Sequence, residues 1–166
     1  MKRITKSNFN SVMNDLYAVF NKISLQTTQM IYDVRFDEAT SLICKSFISE
    51  ICLSCSSAMS LIVLFRAIPK QYSQNMIVVC NNDAIYMEHL MTSTEQFVDN
   101  LCALAEDTSV FDLIDKYVAF INEAKRVVDK LTEPYLTEDT QAAITLLRTS
   151  REQVDDSTDD DTATLL

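Results

Sequence analysis

The sequence predicts an all-α protein, a single-domain bundle of five to six helices around a buried central helix at about residues 38–67. Three observations lead to this fold class. Residues 42–68 form a long apolar stretch without Gly or Pro, which is too long for a strand and typical of a buried helix. Apolar residues recur at three- and four-residue spacing along most of the remaining chain. The 166 residues contain no Gly, so tight hairpins are disfavoured.

The first two predicted helices are separated by an ambiguous segment. Ser7 can cap a first helix whose apolar residues share one face. Residues 27–36 can continue this helix, form a loop or form a short extended piece. Asp37 is expected to cap the central helix, which should end near Pro69 because the residue before a proline disfavours helical geometry.

The middle of the chain is predicted as several short helices. A short helix is expected over residues 70–82, ending at Asn81–Asn82, followed by one or two helical turns over residues 83–91. A capping-box spacing at Thr92 or Ser93 then predicts the start of another helix.

The second half predicts two further helices. The most amphipathic stretch of the chain should begin at Thr108 or Ser109 and end at Glu133–Pro134. Thr137 is then expected to cap a last helix.

An acidic tail is expected after the helical domain, which we place at residues 1–154. Residues 155–166 contain five Asp and no apolar periodicity, so they are expected to be disordered. Their last six residues look like an acidic dileucine sorting signal, and the last three also resemble a PDZ-binding C-terminus. The candidate partner-binding residues are Asp161, Thr164, Leu165 and Leu166.

Two hydroxyl residues in the tail are candidate phosphorylation sites. Ser157 and Thr158 each have an acidic residue three positions downstream, which resembles a casein-kinase-2 context. Phosphorylation there would add negative charge beside the candidate signals and strengthen the attraction of a basic partner.

The composition argues against an enzyme. Without Gly, the chain cannot form a phosphate-binding loop, a Rossmann fingerprint or a nucleophile elbow. His89 is the only histidine, which argues against multi-histidine metal sites and triads. Cys52 and Cys55 have CxxC spacing, but they lie in the most apolar stretch without a second ligand pair. We therefore expect reduced, buried cysteines and no catalytic, cofactor-binding or metal-binding residue.

The charge argues against nucleic acid as a partner. The net charge is −10, which leaves little to neutralise phosphates. Residues 71–115 hold eight acidic and no basic residues, which permits head-to-tail association or a basic partner. Only 15 residues separate Glu50 from Arg66, fewer than the roughly 20 apolar residues of a membrane span. We expect no span and a cytoplasmic location, with a nuclear one left open.

These features predict a non-enzymatic helical protein–protein interaction or assembly protein that self-associates as a homo-oligomer. The 48% of apolar residues is high for a soluble monomer and favours a shared apolar surface. In length and helix count the chain resembles small virus-encoded host-interaction proteins of the Bcl-2-like class, which bind partner amphipathic helices. The Trp-Gly signature of that class is absent, and the pattern from Phe97 through Leu101 and Leu104 to Glu106 looks like the BH3 helices it binds. An RNA-binding oligomer is a further alternative.

Overall fold

The computed structural model describes residues 4–32, 38–68, 71–104 and 109–158. Within these residues the chain forms five α-helices, one turn of 3₁₀-helix and no strand. The helices are α1 (Lys6–Tyr32), α2 (Glu38–Ala67), α3 (Tyr72–Leu104), α4 (Ser109–Thr132) and α5 (Glu138–Thr158), and the 3₁₀ turn Glu133–Tyr135 joins α4 to α5. The predicted all-α class and helix number are confirmed.

The first four helices form an antiparallel bundle. Each packs against the next in sequence, and α1 also packs against α4 and closes the ring. The start of α1 meets the start of α3, with the rings of Phe9 and Tyr72 5.5 Å apart. The start of α2 meets the end of α3, where Phe47 stacks on Phe97 at 4.0 Å. α5 lies outside the ring, against α3.

The position of α2 differs from the expectation for the central helix. The helix itself forms at Glu38–Ala67, within one residue of the predicted bounds. It packs against α1 and α3, whereas α3 packs against all four other helices and holds the central position. Only the inner side of α2 belongs to the core, through Cys44, Phe47, Ile51, Cys55, Ala58 and Ile62.

The middle of the chain is one long helix and not the predicted series of short ones. α3 runs without a break through the expected stop at Asn81 and the expected start at Thr92. The Asn81 amide donates to the carbonyl oxygen of Ile77 at 2.6 Å, and the Thr92 hydroxyl donates to that of Glu88 at 3.2 Å. These polar side chains therefore bond within the helix instead of ending it.

The helix caps agree with the sequence at α5 and differ at α1. The backbone N–H of Thr140 donates to Oγ1 of Thr137 at 3.3 Å, which confirms the predicted cap of α5. At α1 the cap is Thr5, whose Oγ1 accepts from the N–H of Asn8 at 3.2 Å, so the prediction of Ser7 was wrong. The helix begins one residue before Ser7.

The remaining predicted boundaries are resolved in part. α1 continues to Tyr32, so the start of the ambiguous segment is helical. α4 ends at Thr132, directly before the predicted break at Glu133–Pro134. α5 continues to Thr158, so its helix runs past the predicted domain boundary at residue 155. The predicted cap Asp37 lies outside the described residues.

Candidate functional site

The side of α2 that faces away from the bundle forms an uncharged, exposed surface. Positions spaced alternately four and three residues apart lie on one side of a helix. We call the following eight residues the outer face of α2: Leu42, Ser46, Ser49, Leu53, Ser56, Ser60, Val63 and Ala67. All eight are exposed, and none carries a charge.

Large apolar side chains occur along the whole length of this face. Leu42 and Leu53 are each 70% exposed, and Val63 is 55% exposed. Leu64, beside Val63, is 57% exposed. Scattered apolar residues are normal on a protein surface. Here the exposed apolar residues share one uncharged face with four Ser, and a grouping of exposed apolar side chains is typical of an interaction site.

The exposed side of α4 shows what an ordinary solvated helix face looks like in the same protein. Its exposed residues are mostly charged and of both signs, and they include Asp112, Asp115, Lys116, Glu123, Arg126 and Lys130. Arg126 and Glu123 form an ion pair on this surface at 3.2 Å. The outer face of α2 therefore differs from the solvated pattern that this chain uses elsewhere.

Opposite charges border the outer face of α2 on its two sides. Glu50 accepts a hydrogen bond from the hydroxyl of Ser93, so its side of the face adjoins α3. Lys45 lies two helical turns before Cys52, on the same side of the helix. The sulfur of Cys52 accepts a hydrogen bond from the hydroxyl of Ser24 in α1 at 3.5 Å. Lys45 therefore lies on the α1 side and Glu50 on the α3 side, and both are exposed.

The apolar character of α2 also meets a simple criterion for membrane helices. Among the described residues, Ser41–Ala67 is the one helical stretch long and apolar enough to cross a membrane, with a mean hydropathy of 1.8. The core helix of a soluble protein can meet the same criterion. The expectation of no membrane span stays a prediction.

A second distinctive region is a cluster of charges between α3, α4 and α5, built around one buried carboxylate. Glu88 of α3 is only 1% exposed, and its carboxylate contacts three cations. The Lys125 Nζ and Arg148 Nη2 atoms lie 2.9 Å and 2.7 Å from Oε1, and the Arg151 Nη1 atom lies 2.9 Å from Oε2. Asp129 also bonds to the Lys125 Nζ atom, at 2.6 Å. We call these five residues the Glu88 cluster.

The Glu88 cluster attaches α5 to the bundle. Burial alone would raise the pKa of Glu88, but the hydrogen bonds from Arg148 and Lys125 outweigh it and hold that pKa below its usual range. The Arg151 guanidinium also donates to the backbone carbonyl oxygen of Glu88 at 3.2 Å. A carboxylate so fully occupied has a structural role and is a poor general base.

About one and a half turns before Glu88 on α3, Asp83 is buried without such partners. It is fully buried, and neither carboxyl oxygen has a hydrogen-bond partner among the described residues. Burial raises the pKa of this carboxyl to about 8. Asp83 is therefore largely protonated in the folded protein at neutral pH and lowers its stability when it ionises.

The five cysteines are less uniform than predicted. Cys44, Cys55 and Cys80 are buried, and burial raises their pKa values to about 11, about 12 and about 12. Cys52 is half-buried and Cys102 is exposed, so the expectation of uniformly buried thiols was wrong. Within the described residues, no group of three or more His, Cys, Asp or Glu side chains is arranged to hold a metal ion.

The other residues singled out in the sequence fall in three places. His89 is exposed. Of the BH3-like pattern, Phe97 and Leu101 are buried in the core and are not displayed to a partner, whereas Leu104 is exposed. Ser157 and Thr158 are the last two residues of α5. The candidate partner-binding residues Asp161, Thr164, Leu165 and Leu166 lie outside the described residues.

The sequence carried only an indirect signal for the Glu88 cluster. The acidic segment 71–115 has no basic residue, so any ion partner of Glu88 had to come from another part of the chain or from another molecule. The structure shows that all three cations come from α4 and α5. At Glu88 the basic groups therefore come from within the chain, whereas head-to-tail association or a basic partner of segment 71–115 stays a prediction.

No protein-family model, curated protein or solved structure matches this chain.

Proposed function

We propose that this chain is a non-enzymatic helical interaction or assembly protein that self-associates, and that the outer face of α2 is its interaction surface. The observation that supports this most strongly is the exposure of Leu42 and Leu53 on a face without charge. Covering these side chains with protein would remove apolar surface from water, at about 25 cal/mol per Å². A second copy of the chain carries the same face, so two copies can cover each other's exposed side chains.

The reactive groups inside the bundle support a structural role. The Glu88 carboxylate is occupied by three cations, and the thiols of Cys44, Cys55 and Cys80 have pKa values far above neutrality. Thiols are reactive chiefly as thiolates, so burial makes these three inert. These environments favour an interaction protein over an enzyme.

The proposal is tested by measuring the mass in solution by light scattering, for the parent protein and for Leu53→Glu. The parent should have at least twice the mass of one chain, and Leu53→Glu should reduce it to one chain because it places like charges at the interface. Leu146→Glu in α5 is a matched control, since Leu146 is also 70% exposed. It should leave the mass unchanged.

A parent protein of single-chain mass at all concentrations up to the millimolar range would overturn this proposal. The two alternatives, a Bcl-2-like binder of amphipathic helices and an RNA-binding oligomer, stay predictions, as does the cytoplasmic location. No described contact favours either alternative over self-association.

A further inference from the structure

We infer that the outer face of α2 binds the same face of a second copy, with the two α2 helices parallel and in register. This inference rests on the proposed function and specifies its partner and geometry. It is supported by the positions of the charges that border the face, Lys45 on the side of α1 and Glu50 on the side of α3.

Consider two parallel helices that meet through contact residues spaced alternately four and three apart. A residue that borders this contact on one side of the first helix then lies beside the residue five positions later in the second helix. Lys45 of one copy then lies beside Glu50 of the second copy. Two-fold symmetry repeats the contact, so each dimer has two attractive pairs. Within one chain these two residues do not face each other, because five residues turn a helix by well over a third of a circle.

The antiparallel alternative brings like charges together. Turning the second helix end for end, with the two faces fully overlapped, places Lys45 beside Arg66 of the second copy. Both residues are exposed and positive, so this arrangement has two repulsive pairs. The charges therefore favour the parallel arrangement over the antiparallel one.

The residues of the face fit close packing between identical helices. In the parallel arrangement each position meets its own copy, so Leu53 meets Leu53 and each Ser meets the same Ser. Small residues let two helix backbones approach closely, as they do at other helix–helix contacts. A two-fold axis parallel to the two α2 helices also places α1 of one copy beside α3 of the other. Lys45, on the α1 side, and Glu50, on the α3 side, are thereby brought together.

Charge reversal tests the pairing. Lys45→Glu and Glu50→Lys should each raise the dimer dissociation constant by about tenfold, since each replaces two attractive pairs with two repulsive ones. The double variant Lys45→Glu/Glu50→Lys should return it to within about threefold of the parent value. Lys116→Glu on the charged side of α4 changes the net charge as Lys45→Glu does and should have no effect. Sedimentation equilibrium gives the dissociation constants.

Cysteine crosslinking tests the orientation. In a Cys102→Ser background, which removes the exposed native thiol, Ser49→Cys should form a disulfide with its own copy under mild oxidation. An antiparallel pair would instead place residue 49 beside residue 60 of the second copy. A mixture of Ser49→Cys and Ser60→Cys should therefore give only products that join identical chains.

The outcomes separate this inference from the proposed function. An oligomer that survives charge reversal, fails to crosslink at residue 49 or joins residue 49 to residue 60 would overturn the parallel pairing and leave self-association intact. A protein of single-chain mass would overturn both. Co-flotation with phosphatidylcholine vesicles, lost in Leu53→Glu, would assign the face to a lipid bilayer and also overturn the pairing.

Discussion

The Glu88 cluster and the outer face of α2 distribute charge in opposite ways. The cluster buries a carboxylate and surrounds it with Lys125, Arg148 and Arg151. The outer face of α2 exposes eight residues along one side of the helix, and none of them carries a charge. Soluble proteins usually keep charges outside and apolar side chains inside. This chain uses ion pairs to attach its own last helix and leaves an uncharged face with exposed apolar side chains open to another molecule.

The difference indicates which contacts the chain completes by itself. Glu88 has all its partners within one chain, so α5 needs no other molecule to stay attached. The apolar side chains of the outer face have no cover within the described chain, and exposed Leu42 and Leu53 are in contact with solvent. A region with complete internal contacts affects stability, whereas an incomplete one affects association.

Asp83 shows what a buried carboxyl costs without the partners that Glu88 has. In the unfolded chain it releases its proton near pH 4, whereas in the folded protein it holds the proton up to a pKa of about 8. The contribution of protonated Asp83 to the free energy of unfolding is therefore fully present below pH 4. It is lost as the pH rises towards 8, because only the unfolded chain releases the proton easily. At about 1.4 kcal/mol per pKa unit, the free energy of unfolding should fall by roughly 5 kcal/mol over this interval.

Asp83→Asn should remove this decline, since the amide does not ionise. Asp99→Asn, at an exposed position of the same helix, is the control and should keep it. Urea unfolding at a series of pH values measures both. If Asp83→Asn and the parent lose stability in parallel between pH 4 and 8, Asp83 is not the cause.

The Glu88 cluster should give the next largest effect. Glu88→Ala leaves three cations without their shared carboxylate and should lower the free energy of unfolding by about 3–5 kcal/mol. Glu123→Ala, which breaks the exposed pair with Arg126, should change it by no more than about 0.5 kcal/mol. Urea unfolding at pH 7 makes the comparison.

The Glu88 cluster and the outer face of α2 should also act independently, one on stability and the other on association. Glu88→Ala should keep the dissociation constant of the dimer, because the cluster is not part of the outer face. A loss of association in the folded Glu88→Ala variant would show that the cluster and the outer face are coupled.

The sequence predicted the helices better than their positions. Apolar periodicity is a local property, so it located α2 within one residue. Three- and four-residue spacing also placed Cys44, Ile51, Cys55 and Ile62 on one stripe of this helix, and all four are buried. It did not show that Leu53 stays exposed, because a leucine at that position looks no different from the buried Ile51. Burial depends on which helices pack on which side, and this is not encoded in any single stretch.

The buried carboxyls illustrate the same limit. Asp83 lies three residues after Cys80 and four before Met87, both fully buried, so helical spacing could have placed it in the core once α3 was known to be continuous. The partners of Glu88 are distant in the sequence, 60 residues away for Arg148 and 63 for Arg151. No local pattern links positions that far apart.

The concentration dependence of the melting temperature is the most direct test of the claim that the outer face of α2 is completed by a second copy. Association stabilises the folded chain by mass action, so the melting temperature of the parent should rise by a few degrees, on the order of 2–4, across a hundredfold increase in concentration. Glu88→Ala should melt lower and show the same rise, whereas Leu53→Glu should show none. A parent melting temperature that does not change with concentration, or a rise that persists in Leu53→Glu, would contradict the claim.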